Sequence, residues 1–358
     1  MADAGSPVLV VGTASPHVRR FVAGLCEAGQ AVVLVTEGRQ ALVEHSLVRE
    51  QVAVDFHLRC LGTASVIGRC IERWRPRVVH AHQANSVAWH AARGSAGRGV
   101  PLVVTLWGSD VLLLPQRSLL HRAMVRHTLR AAALWTADAA HVLDRAAQVA
   151  GQLRPSALLV MGVDSLPDDL HEVWPHKQPR LLSCRLHKPL YRVDCIIEAF
   201  SEVAARHPAW RLEVAASGPE TAALAALAQR SAAAQVTDFS GFLDSEAMSR
   251  SQRAASVYVS FPESDGTSVS LLEALAQGAV PVVSDLPANR EWVVDGLNGL
   301  VVRSPADLPA ALDRAIALSQ STRWREETAP ANLRLVRDKA LFADNLRRCL
   351  SLYQGLSR

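Results

Sequence analysis

Short runs of apolar, β-branched residues alternate with longer amphipathic stretches along most of the chain. "PVLVVGTA" (7–14) predicts a strand, "HVRRFVAGLCEAG" (17–29) a helix closed by Gly29, and "AVVLVTEG" (31–38) a second strand. "RVVHAH" (77–82), "PLVVTLWG" (101–108) and "SALLVMG" (156–162) extend the series, with a helix-period segment over 117–135. Apolar strands separated by helical segments predict parallel sheets covered on both faces. The pattern lapses at "DSLPDDLHEVWPHKQPR" (164–180), which is polar and holds three prolines, and then restarts. "RLLSCRL" (180–186), "WRLEVAASG" (210–218), "VTDFSGFL" (236–243), "SVYVSF" (256–261) and "AVPVVSD" (279–285) predict strands. "VDCIIEAFSEVAARHP" (193–208), "VSLLEALAQG" (269–278) and "KALFADNLRRCLSLYQGL" (339–356) predict helices.

The layout is twofold, which suits 358 residues better than one core. It predicts two doubly wound, Rossmann-like α/β domains at 1–165 and 180–335, a linker over 166–179, and a final helical segment, 336–358, returning to the first domain. Ligands of such sheets sit at the carboxyl ends of the strands, so two facing domains are expected to hold substrate in a cleft.

Composition narrows the class. With 49% hydrophobic and 20% charged residues and a mean hydropathy of +0.10, the chain has ample material for buried cores. No apolar run reaches the length of a membrane span, and "MADAGSPVLVVGTAS" lacks the basic start of a signal peptide. Six cysteines without CxxC spacing are expected to be reduced thiols of a cytoplasmic protein, and no metal site is expected.

The net charge of +4 is unevenly placed: residues 1–165 hold 17 Arg and no Lys against 11 acids, +6, leaving −2 for the rest. No nucleic-acid motif accompanies this bias, and aromatics make up only 5%. Nucleic acid is therefore not an expected partner. Within 117–135, Arg117, Arg122, Arg126 and Arg130 recur at four- and five-residue spacing. That helix either packs on the sheet with its arginines solvated, or makes a peripheral contact with the inner face of a membrane.

The densest chemistry lies in "FPESDGTSVSLLEALAQGAVPVVSDLPANREWVVDGLNG" (261–299). Residues 262–268 read as a strand-to-helix turn, in which Gly266 tolerates positive φ and Thr267, Ser268 or Ser270 can cap the helix. Backbone N–H groups there, backed by the helix dipole, suit a phosphate or sugar hydroxyls. Asp265 in the turn and Glu273 eight positions on could hold two polyols, although an ordinary capped helix with a solvated Glu273 has the same spacing.

This segment resembles the donor-binding signature of glycosyltransferase family 4, retaining enzymes of the GT-B type with two Rossmann-like domains. The resemblance rests on Asp265, Glu273-Ala274, Ala276, Gly278, Pro281 to Ser284, Glu291 and "VVDGLNGLVV". It extends, more loosely, through "VVHAH", "TLWGSDV", "MGVD", "RLLSCRL" and "FSGFL" in the family's order.

The resemblance implies a glycosyltransferase using a nucleotide sugar, UDP- or GDP-linked, and no other cofactor. Its acceptor would be a glycan, a polyprenyl-linked glycan or a small molecule. Glu273 would bind the ribose, Asp265 the transferred sugar, and Gly266, Thr267 and Ser268 the sugar or diphosphate. Arg185 would stabilise the leaving diphosphate. The family's lysine falls at Tyr191, leaving Lys188 or Arg192 to supply a second positive charge.

Asp265 stands where the family usually has Glu, and Trp107 where it has a histidine. In the first half, Gly12, His17 and Trp107 are acceptor-binding candidates and Asp110 an acceptor-hydroxyl contact, while His80 and His82 read as half-buried strand ends. Two other readings stay open: a sugar-nucleotide epimerase, and a non-catalytic partner subunit of the same fold.

Overall fold

The computed structural model of the chain describes residues 5–38, 40 and 42–356. Two compact units are present: one from the chain up to Met161 together with the segment from Phe342 onward, the other Gly162–Leu341. In the first, β1 (Val8–Val11), β2 (Val32–Thr36), β3 (Val48–Ala53), β4 (Val78–His82), β5 (Leu102–Leu106), β6 (Leu134–Ala137) and β7 (Ser156–Leu158) form one parallel sheet, ordered β3-β2-β1-β4-β5-β6-β7. In the second, β8 (Gln178–Ser183), β9 (Arg211–Ala215), β10 (Thr237–Gly241), β11 (Ala255–Ser260), β12 (Val280–Ser284) and β13 (Leu300–Val302) form another, ordered β10-β9-β8-β11-β12-β13. Each sheet reverses its winding beside its first strand, at β1/β4 and at β8/β11. Those switch points open a crevice beyond the strand carboxyl ends.

The central strands are valine-rich because both their faces are covered: every residue of β1, β2, β4, β5 and β12 is buried. Two strands differ from the sequence expectation. β3, "VREQVA", is a half-exposed edge strand whose charged residues carry no apolar run. β6, "LWTA", lies inside the stretch read as helix over 117–135; the helix is Leu119–Ala131, and the chain re-enters the sheet at Leu134.

The first helix, Pro16–Glu27, is capped by Ser15, whose hydroxyl accepts from the Val18 amide at 3.3 Å. It buries Val18, Phe21, Val22, Leu25 and Cys26, the three- and four-residue spacing of one face. Against it packs the final helix, Phe342–Leu356; a Cβ on Gly24 would come within 2.7 Å of the Phe342 ring. Tyr353 of that helix is fully buried and hydrogen-bonds His80 of β4.

The stretch 166–179 is packed rather than a free linker. Leu170 and Val173 are buried, and Trp174 lies where a Cβ on Gly278 would stand, 2.8 Å away. Gly278 has φ +72°, so both its conformation and its neighbour demand glycine. Asp168, Asp169, His171, Glu172 and His176 are exposed, whereas the Lys177 ammonium turns in to the Ala255 carbonyl.

Candidate functional site

In the second unit, β8 and β11 lie side by side, so the turns after them meet. Arg185 follows β8, and 262–268 follow β11. Arg185 Nη2 donates to Asp265 Oδ2 at 2.6 Å, and its Nη1 donates to the Ser268 hydroxyl. The Tyr191 ring covers the guanidinium at 4.4 Å from its centroid. Burial works against the Arg185 charge, but Asp265, Tyr258 and Tyr191 outweigh it and hold its pKa above the ordinary value. Burial likewise lifts the Asp265 carboxyl, against the pull of Arg185 and of the Gly266 amide, which donates to it at 3.1 Å. The turn thus presents one clamped cation.

Ser268 occupies the N-cap position of the helix Val269–Ala276 without making a side-chain cap bond. Its hydroxyl is drawn instead toward Arg185 and toward Ser270 Oγ at 2.9 Å, and Ser270 continues to Tyr258 at 2.8 Å. Leaving the helix start without a side-chain cap favours an anion there. Thr267 is 8% exposed and its hydroxyl accepts from Trp292 Nε1 at 3.2 Å, so it props the turn from below.

Glu273 is half-buried two turns further on. Gln252, only 2% exposed, reaches its carboxylate at 3.4 Å and also lies 3.7 Å from Cys184 Sγ. Burial, followed by the charge of Glu273, pushes the Cys184 thiol up to about 12, so it stays protonated beneath the carboxylate.

The two cations read as alternatives in the sequence differ sharply in surroundings. Arg192 sits in the left-handed region at φ 47° and pairs with Glu263 at 3.1 Å and Asp194 at 3.7 Å. Lys188 is exposed at the start of the same turn.

The β1/β4/β5 edge of the first unit gathers Gly12, His17, His82, Trp107 and Asp110. Gly12 is needed for close packing of its own helix, since a Cβ there would meet Val18 at 2.7 Å. His17 is exposed and meets the Trp107 ring edge-on, centroids 5.2 Å apart. Trp107 packs in turn near His82 at 6.2 Å, with its Nε1 buried and unpartnered.

Asp110 is 4% exposed, and its carboxylate accepts from the Ala84 amide at 2.7 Å and the Trp107 amide at 3.1 Å. It ties two strand-end turns together and is not presented to solvent, which corrects its reading as an acceptor-hydroxyl contact. Burial pushes its carboxyl up to about 6 despite those amides.

His80 and His82 are fully buried rather than half-buried. Their rings stack at 4.6 Å, and His80 joins Tyr353 on one side and Thr105, at 2.6 Å, on the other. Neither ring nitrogen of His82 has a hydrogen-bond partner among the described residues, and burial, with His17 secondarily, drops its pKa to about 3.

Sequence reasoning brought Arg185, Asp265, Gly266, Ser268 and Glu273 to one sheet edge, and there the structure places them. It gave no role to Tyr191, Tyr258 or Gln252, and read Ser270 only as a helix cap and His82 only as a strand end. Tyr191 alone carried a signal, as an aromatic residue at a position expected to be basic. Among the described residues, no group of three or more His, Cys, Asp or Glu could hold a metal ion.

Residues 8–138 match the glycosyl transferase 4-like family, and residues 180–318 match the glycosyl transferases group 1 family. Both matched segments are thus similar to glycosyltransferase families. No curated protein matches this chain in sequence. Its fold is that of GT-B structures. Anabaena HepE in complex with UDP-glucose superposes with a TM-score of 0.79 at 13% identity, covering 98% of this chain and 99% of that one. Sucrose-phosphate synthase from Thermosynechococcus elongatus gives 0.79 at 15% identity over 98% and 99%. The pneumococcal O-GlcNAc transferase GtfA, in complex with UDP and GlcNAc, gives 0.65 at 14% over 81% and 59%.

Proposed function

We propose that this protein is a retaining, metal-independent glycosyltransferase. It moves a hexose-type sugar from a UDP- or GDP-linked donor to a hydroxyl of a glycan or small molecule, free or carried on a polyprenyl lipid. The observation that carries the reading is the clamped Arg185 beside Asp265, set under a helix start without a side-chain cap. A departing nucleoside diphosphate gains negative charge in the transition state. A guanidinium held by Asp265, Ser268 and Tyr191 meets that charge without reorganising. No metal is needed for that step, because Arg185, Lys188 and the helix start supply the positive potential.

In this reading Glu273 accepts hydrogen bonds from the ribose diol, and Asp265 and the Gly266–Ser268 backbone hold the transferred sugar. His17 and Trp107 of the first unit contact the acceptor. The Asp265 carboxylate is engaged by Arg185 and the Gly266 amide, which disfavours it as a covalent nucleophile. Front-face attack is therefore favoured: the bond from the anomeric carbon to the diphosphate oxygen breaks as the acceptor oxygen bonds that carbon. The acceptor proton passes to the departing phosphate oxygen. The protein contributes positioning and charge stabilisation.

HepE is solved with UDP-glucose, so a UDP-linked hexose is the first donor to test. Purified protein should release nucleoside diphosphate from one member of a panel of UDP and GDP sugars, faster with acceptor. NMR of the product should show the donor's anomeric configuration kept; an inverted product would refute retention. A new sugar nucleotide would favour an epimerase, and no donor binding at all a non-catalytic subunit.

A further inference from the structure

The helix Leu119–Ala131 rests on the first unit by one face, burying Met124, Val125, Thr128 and Leu129. Its opening turn does the reverse. Leu119 is 84% and Leu120 69% exposed, and Leu61, in a neighbouring turn, is 60% exposed. Beside Leu120 a groove of about 440 Å³ runs between Leu58, Leu114 and Met124, with Arg59 and His121 among its walls. The exposed leucines therefore continue into an apolar surface.

The charge along the helix segment has one sign; the neighbouring turn carries one exposed acid, Asp55, held by the His57 amide and Cys60. From 111 to 137 there is no acidic residue, while Arg117, Arg122, Arg126 and Arg130 all lie in that span and all are exposed. Arg130 is engaged by the Ala150 carbonyl at 2.8 Å. The side chains of Arg117, Arg122 and Arg126 make no hydrogen bond or ion pair to the described residues.

Adjacent exposed leucines inside an unpaired cationic surface fit a partner that is apolar within and anionic at its face. We propose that this face docks on an anionic bilayer. Leu119 and Leu120 enter the boundary between headgroups and acyl chains, and Arg117, Arg122 and Arg126 lie against lipid phosphates. A nucleic acid would answer the arginines but not the leucines, since single strands are held by aromatic stacking and this face presents none. Among the described residues no helix is long and apolar enough to cross a membrane, so the contact is with the surface. The inference goes beyond the transfer reading and uses none of its residues.

Co-sedimentation of the full chain with phosphatidylcholine vesicles, with and without phosphatidylglycerol, tests it. Binding is expected only with the anionic lipid and should weaken in high salt. Each arginine is worth about fivefold in partition, so Arg117→Glu with Arg122→Glu should reduce binding more than about tenfold. Leu119→Ser with Leu120→Ser should weaken it comparably and more at high salt, where the apolar part dominates. Circular dichroism and nucleotide binding should be unchanged in both pairs. Equal binding to neutral vesicles, wild-type binding by either pair, or binding to no vesicle would overturn the proposal. So would tighter binding to duplex DNA than to anionic vesicles at equal phosphate concentration.

Discussion

Asp265 and Arg185, 80 positions apart in sequence, meet at 2.6 Å at the edge of the second sheet. The pair keeps a cation fixed at that edge. The Arg185 side chain is 13% and that of Asp265 20% exposed, too sheltered for an ordinary surface ion pair.

Replacing Arg185 separates chemistry from binding. Arg185→Ala should lower kcat by about a hundredfold to a thousandfold, with a much smaller change in donor KM, because the lost interaction strengthens as the diphosphate leaves. Arg185→Lys should fall between, since it keeps the charge but loses the planar contact with Tyr191. Steady-state kinetics decides; wild-type turnover in the alanine variant would remove Arg185 from the mechanism.

The ribose contact proposed for Glu273 can be tested by substitution. Glu273→Ala should weaken UDP or GDP binding by about tenfold to a hundredfold, as expected for losing charge-assisted hydrogen bonds. It is only half-buried, so the melting temperature should move little. Calorimetric titration with the free nucleotide is the check, and an unaltered dissociation constant would exclude the ribose contact.

Lys188 and Arg192 should part company. Arg192 is held by Glu263 and Asp194 at the surface, so Arg192→Ala should cost less than about 1 kcal/mol of stability and leave turnover within a few-fold. Lys188→Ala should reduce turnover about tenfold or more while leaving stability alone. The opposite order of effects would give Arg192 the lysine's place.

Asp110 predicts a pH signature. Its carboxyl is about 6 when folded against an ordinary 3.8, so its linked stability is full below the unfolded value and is lost as pH rises through about 6. Relative to Asp110→Asn, the wild type should lose roughly 2–3 kcal/mol between pH 4 and 7. Urea midpoints at both ends of that window measure it; parallel curves for the two proteins would show that Asp110 does not titrate there.

Chelation offers a direct test of the charge assignment. Donor turnover should be the same with and without EDTA, because the assigned positive groups belong to the chain itself. Activity that disappears with EDTA and returns with a divalent cation would contradict that.

Much of this was legible in the chain because valine-rich runs, helix periods and glycine stops repeat the local physics of a parallel sheet. The "SDGTSVSLLEA" turn was readable for the same reason: a glycine turn, hydroxyl residues and an acid at fixed spacing are local facts. What escaped was set by tertiary neighbours. β6 hides in a run of alanine and leucine that suits a helix equally well, and only pairing with β5 and β7 makes it a strand. Asp110 looked like a strand-end ligand, and only the amides of Ala84 and Trp107 show it turned inward. The stacking of Tyr191 on Arg185 follows from the turn over Pro189–Tyr191, which no residue spacing encodes.

The last helix closes the first unit: Phe342 and Leu346 lie against Gly24, and Tyr353 reaches His80. During synthesis, then, the opening 161 residues leave the ribosome long before the segment that completes their core, with the whole of Gly162–Leu341 made in between. At about 5–20 residues per second the wait is on the order of ten seconds or more. The middle of the chain can reach its native state first, and the beginning finishes last.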